Sequence, residues 1–183
     1  IVASWAKSDE QDVAIQWTRR GPDEAKLVTI ADGDRLRIEI GRHIMVRLDA
    51  DTGFTKANGE TRDLSTEERE RLRRELTCNP MLWPRADVAT RMKHALLVGG
   101  VHVHGAPAYR FLLPGDGDCE AWFFLDGTPA GFAFRDPVRR AHVEWYVRDN
   151  KLRVVVDGEL EQGWSSGMRA TGKAEEQWFR RDA

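Results

Sequence analysis

Apolar and polar residues alternate along most of this chain in short runs cut by turn residues. From Ala108 to Val147 the runs AYRFLLPG, CEAWFFLDGTP, AGFAFRDPV and HVEWYV follow one another. Strand and turn signals at roughly ten-residue spacing predict an antiparallel meander. The stretch from Ile1 to Ala57 has the same pattern. There Ile1–Ala6 and Val13–Arg19 are strand candidates, with Val13, Ile15 and Trp17 on one face. Ala25–Ile30 follows with Leu27 inward, then the hairpin turn ADGD at 31–34. Leu36, Ile38 and Ile40 alternate with Arg37 and Glu39, so that strand has one wet face. Ile44, Val46 and Leu48 alternate next, and a short run surrounds Phe54.

Between the two halves the period changes. Ser65-Thr66-Glu67-Glu68 fits a capping box, with Glu68 placed to reach back to the cap. Leu72 and Leu76 share a helix face, and Leu64 can act as a staple. Glu67, Glu68, Arg69, Glu70, Arg71, Arg73, Arg74 and Glu75 read as a solvated face of weak ion pairs. The helix stops near Cys78-Asn79-Pro80, a short turn follows through Met81–Trp83, and Ala86–His94 fits helix or loop. Ala95–Val103 resumes extended structure, bent at Gly99–Gly100. Lys151–Val156 is a further strand. From Glu159 the pattern weakens into a loose tail, in which Trp164, Met168, Trp178 and Phe179 still pack. The prediction is one mainly β (α+β) domain over 1–183: a long antiparallel sheet with a helical insertion.

Composition narrows the function. With 41 % hydrophobic residues, 32 % charged residues and net charge −2, the chain is an ordinary globular protein. The absence of a basic excess argues against nucleic acid as a partner. No apolar run is long enough for a membrane-spanning helix. The chain opens on Ile1, inside the strand-like run IVASWA, which leaves room for a leader, a lipid anchor or an upstream domain. Cys78 and Cys119 form no Cys-x-x-Cys pair. They fit either a disulfide, closing a loop of about forty residues for roughly 3–4 kcal/mol, or two separate buried thiols.

Candidate chemistry is sparse. His102-Val103-His104 places two imidazoles on one strand face, a weak candidate metal pair. His94, His142 and Cys119 are conceivable third ligands, but the Glu that follows such a pair in cupins is missing, and two exposed histidines are the plainer reading. The aspartates of DADTG, DGDCE and DGEL sit in turns, where they do turn work. No nucleophile elbow, phosphate loop or His-Glu-x-x-His occurs, and no cofactor is expected. Seven Trp remain. Trp122/Phe124 and Phe132/Phe134 each share a face by period two, and either fill a core or line an apolar cavity.

The segments Leu72–Trp83 (LRRELTCNPMLW), Val103–Phe111 (VHGAPAYRF) and Ala121–Phe134 (AWFFLDGTPAGFAF) resemble the LolA/LolB-type outer-membrane lipoprotein carrier fold. The likeness extends to the carrier-like envelope domains also appended to pitrilysin-type peptidase homologues. It covers residues 1–147 and leaves the tail from Gly163 outside. It implies a strongly curved antiparallel half-barrel with a helical lid over an apolar cavity. Leu72, Leu76, Met81, Leu82 and Trp83 would then belong to the lid. Trp17, Ile38, Phe111, Trp122, Phe124, Phe132 and Phe134 would line the concavity, and Pro80 and Pro84 would flank a hinge.

The expected function is non-enzymatic binding of a lipid or a lipoprotein acyl chain in the bacterial envelope, periplasmic or at the outer membrane. The expected partners are a lipid or acylated protein, and an envelope protein. A protein- or peptide-binding or sensor domain is the alternative, and a metal enzyme using His102 and His104 comes third.

Overall fold

A computed structural model describes residues 14–20, 26–103, 105–115, 118–148, 151–160 and 166–181. The first half folds as an antiparallel meander: β1 (Ala14–Arg20), β2 (Lys26–Asp32), β3 (Arg35–Ile40), β4 (His43–Arg47), β5 (Gly53–Ala57) and β6 (Glu60–Asp63). The second half repeats the plan with β7 (Leu96–Val103), β8 (Ala106–Leu112), β9 (Glu120–Phe124), β10 (Pro129–Asp136), β11 (Ala141–Arg148), β12 (Lys151–Val156) and β13 (Glu159–Leu160). This is the open, curved antiparallel architecture expected from the resemblance. The candidate strand at Ile1–Ala6 lies outside the described residues.

The tail departs from expectation. Ser166–Gly172 is a strand, β14, paired with the whole of β1 from Ala14↔Gly172 to Arg20↔Ser166. The first sheet therefore runs β14-β1-β2-β3-β4-β5-β6, and the second β13-β12-β11-β10-β9-β8-β7. A 3₁₀ turn at Glu176–Phe179 then packs against β3. Phe179 joins Val28, Ile30, Val46 and Phe54 in a small cluster on the outer face of the first sheet. Arg37 donates to the Trp178 carbonyl at 2.8 Å, and Arg181 pairs with Asp63 at 2.6 Å. Glycines and few apolar residues conceal this strand in the sequence, because β1, and not the strand's own pattern, supplies its ladder.

The insertion between β6 and β7 holds α1 (Thr66–Cys78), a 3₁₀ turn (Pro80–Leu82) and α2 (Arg85–Met92). The predicted capping box is present: Ser65 Oγ accepts from the Glu68 amide at 3.2 Å, and Glu68 Oε2 accepts from the Ser65 amide at 2.8 Å. At the other end Asn79, fully buried, fixes the corner. Its amide donates to the Glu75 carbonyl, its Nδ2 donates to the Glu75 carboxylate at 3.0 Å, and its Oδ1 accepts from the Met81 amide at 3.0 Å. Such side-chain capping satisfies backbone groups that a helix end leaves open. Cys78 and Cys119 are joined as a disulfide, with Cα atoms 5.4 Å apart, so the end of α1 is tied to the entry of β9.

Candidate functional site

Strand periodicity brings Trp17, Leu27, Leu36, Ile38 and Met45 to the inner face of the first sheet. The second sheet offers Phe111, Phe123, Phe132, Phe134 and Trp145 to the same core. Trp17 meets Phe132 and Trp145 edge-on at 6.2 and 6.4 Å, and Phe132 stacks on Phe134 and Trp145. Into this space the insertion sends Leu72, Leu76, Met81, Leu82 and Trp83, all nearly inaccessible to solvent. Trp83 is fully buried, donates its indole N–H to the Leu76 carbonyl at 3.2 Å and packs beside Phe123. The helical segment is thus a plug seated between the sheets.

Trp122 and Phe124 do not join this group, which corrects the sequence expectation. They lie on the outer face of the second sheet, clustered with Val103, Ala108, Ala130, Ala133 and Tyr146. The run EAWFF is apolar on both faces, so alternation alone does not orient it. Glu120 holds the missing signal, since period two places it on the face of Trp122. Arg110 donates twice to Glu120 at 2.8 Å, the Trp122 indole donates to it at 2.9 Å, and the Arg110 guanidinium lies over the Trp122 ring. Burial pushes Glu120 up, but these hydrogen bonds outweigh it and hold its carboxyl below the usual range. Gly131 is required beneath this group: a Cβ there would come within 2.4 Å of the Trp145 carbonyl oxygen and 2.9 Å of the Trp122 ring.

The inner core is apolar except at one end. Period two carries Arg19, after Ile15 and Trp17, onto the inner face, where it is 1 % exposed. Its guanidinium stacks over Trp17 at 3.9 Å and Trp145 at 4.8 Å, a favourable placement for a cation. Nη2 donates to the Thr29 hydroxyl, while Nη1 stands 3.8 Å from Glu75 Oε1, beyond hydrogen-bond reach. Nε is buried without a hydrogen-bond partner among the described residues. Burial pulls the pKa down to about 10, opposed by Glu75 and helped by Arg71, so the group stays charged at neutral pH. Glu75 is itself buried on α1, which corrects its placement on a solvated face; it follows Leu72 by one helical turn. Nearby, Asp136 accepts from the amides of Val138 and Arg139 and pairs with Arg71 at 3.3 Å.

These groups border a cavity of about 30 Å³ walled by Leu27, Ile38, Phe134, Val143 and Trp145. That is room for about one water molecule. A larger hollow of about 270 Å³ on the outside, beside Leu48 and Arg69, is polar-rimmed and away from this core.

His102 is exposed on β7, and His104 lies outside the described residues. His142 is 3.4 Å from Glu144, and the Cys119 sulfur is taken by the disulfide. Among the described residues, no three His, Cys, Asp or Glu side chains converge as metal ligands, and no helix is long and apolar enough to cross a membrane.

No family model and no curated protein matches the chain. Solved structures do. The chain is similar to a LolA superfamily protein. That protein is NE2245 from Nitrosomonas europaea, at 10 % identity and a TM-score of 0.48, over 93 % of this chain and 89 % of that one. It is also similar to the Pseudomonas aeruginosa MucA/MucB complex, at 17 % identity and a TM-score of 0.25, over 97 % of this chain and 58 % of that one. MucB in complex with MucA(peri) gives 15 % identity and a TM-score of 0.23, over 97 % and 57 %. The chain spans less than two thirds of the length of the last two. Likenesses of this degree place no residue and no ligand in this chain.

Proposed function

We propose that this protein binds a hydrophobic ligand, a lipid or a protein-borne acyl chain, between its two sheets in the bacterial envelope. The observation that carries this reading is the plug. An apolar interior walled by Trp17, Ile38, Phe111, Phe132 and Phe134 is filled in part by the two sheets meeting at Trp17, Phe132 and Trp145 and in part by Leu72, Leu76, Met81, Leu82 and Trp83 from a separate insertion. Withdrawal of that insertion leaves a continuous apolar groove, the usual lining of a ligand site. Each buried CH₂ then contributes about 0.8 kcal/mol. The Cys78–Cys119 disulfide supports an oxidising compartment, as outside the cytosol.

Native mass spectrometry of gently purified protein, followed by organic extraction, tests the reading. An adduct that dissociates as a lipid is the expected result. A clean protein mass, with no uptake of added fatty acid or phospholipid, overturns it.

A second reading, a peptide-binding domain, rests on β7. This edge strand carries no charged side chain and exposes Leu96, Leu97 and Val98 in succession, the surface onto which an extended segment can add. Capture of a partner without lipid, lost on Val98→Lys, would favour it.

A further inference from the structure

The buried arginine is built for more than holding the plug. Arg19 carries five N–H donors on a rigid fork, yet one reaches Thr29, one faces Glu75 at 3.8 Å, and Nε meets no acceptor among the described residues. Stability alone would favour a bidentate carboxylate here or no charge at all, since an incompletely paired buried ion is costly. Glu75 is also committed elsewhere: Asn79 holds one of its oxygens at 3.0 Å. The carboxylate nearest Arg19 thus belongs to the insertion and is bonded within it, three residues before the Cys78 tether. Arg19, by contrast, stays on β1 between two tryptophans. The cavity it borders has apolar walls, and Arg71 and Arg139 stand at its edge beside Asp136.

We infer that Arg19 is the binding group for the carboxylate head of an acyl ligand, and that Glu75 occupies its place when the plug is seated. The inference rests on the hydrophobic-ligand reading and names the ligand class: an anionic amphiphile, a free fatty acid in the simplest case. A carboxylate is favoured as the head group because a carboxylate already stands at the fork. When α1 withdraws, Glu75 leaves with it, and the ligand's head makes the two-pronged contact that Glu75 does not. The tail then follows the apolar wall of Leu27, Ile38 and Phe134. Loading and plug opening are thereby coupled, since one carboxylate replaces the other at a single cation.

The test compares laurate with dodecanol, which has the same tail and no charge, by native mass spectrometry and calorimetric titration. Laurate is expected to bind wild-type protein at least about tenfold more tightly, the scale of a charge-assisted pair. Arg19→Met should reduce laurate to the dodecanol level and leave dodecanol unchanged. Glu75→Gln should tighten laurate several-fold, because the competing carboxylate is gone. Acetate should not displace laurate, which separates an acyl carboxylate from a free small anion. Equal binding of laurate and dodecanol to wild type overturns this inference and leaves the hydrophobic-ligand reading standing. Uptake of neither overturns both. Should Arg19→Met fail to fold, Glu75→Gln decides, and unchanged laurate affinity there overturns the inference.

Discussion

Outside the second sheet and between the two sheets, an arginine and a glutamate meet tryptophan, with opposite results. On the outer face Arg110, Glu120 and Trp122 are mutually satisfied: two guanidinium N–H groups and one indole N–H converge on one carboxylate. On the inner face Arg19, Glu75, Trp17 and Trp145 are drier and less well paired, with a gap of 3.8 Å where the outer group has 2.8 Å. The outer group sits on two neighbouring strands, so the ladder fixes its geometry. The inner group spans both sheets and the insertion, so its geometry depends on the seating of α1. A polar group spread over two separable bodies is a place where a fold can open.

The largest test of this contrast is the plug's anchor. Trp83→Ala should cost about 3–5 kcal/mol in urea unfolding and raise dodecanol uptake by vacating the interior. Trp122→Ala should destabilise on a similar scale without changing uptake; a gain there would erase the distinction between the faces. Next comes the tether. Replacing Cys78 and Cys119 by Ala should lower stability by about 4 kcal/mol in the chain-entropy model for a loop of this length, measured by denaturant titration against the oxidised protein. Smaller again, Arg110→Met should cost about 1–2 kcal/mol, since it leaves the partly buried Glu120 carboxylate with the Trp122 indole but without its cation, with laurate affinity unchanged.

The smallest effect is electrostatic. On the exposed side of α1, hydrogen bonds from Arg73 and then Arg74 lower the Glu70 carboxyl to about 2. A carboxyl held below its unfolded value stabilises the fold above the unfolded pKa and loses that contribution as pH falls towards the folded one. Melting temperature should therefore decline between about pH 4.5 and 2, by the equivalent of under about 1 kcal/mol after solvent screening. Salt at 0.5 M should shrink the decline. An unchanged melting temperature across that range would show that the ion pairs of α1 contribute nothing.

The sequence made the meander legible, along with the capping box at Ser65 and the shared face of Leu72 and Leu76, because hydrophobic period and capping chemistry are local. Period two put Phe132 and Phe134 on one face, but only the resemblance turned that face inward. The sequence did not orient Trp122, because Ala121, Trp122 and Phe123 are all buried, on two different faces. Nor did it find β14, whose pairing is decided by a strand at the other end of the chain. Arg19 and Glu75 were each visible as charges. In the sequence Glu75 reads as part of the solvated face of α1 and Arg19 has no place, because a charge is not expected inward until its partners across the sheet-helix boundary are known.

The pairing of β1 with β14 sets a condition on how the chain is born. β2 to β13 all lie between these two strands, so the first sheet keeps a raw edge until Ser166–Gly172 has been made. Contacts of such long range close slowly. Until then β1 presents unsatisfied backbone groups to any extended segment nearby, including the same strand of another nascent chain. A chain that stops before Ser166 would lose Phe179 from the outer cluster and leave the edge of β1 unpaired by β14. β14 acts as the clasp of the first sheet.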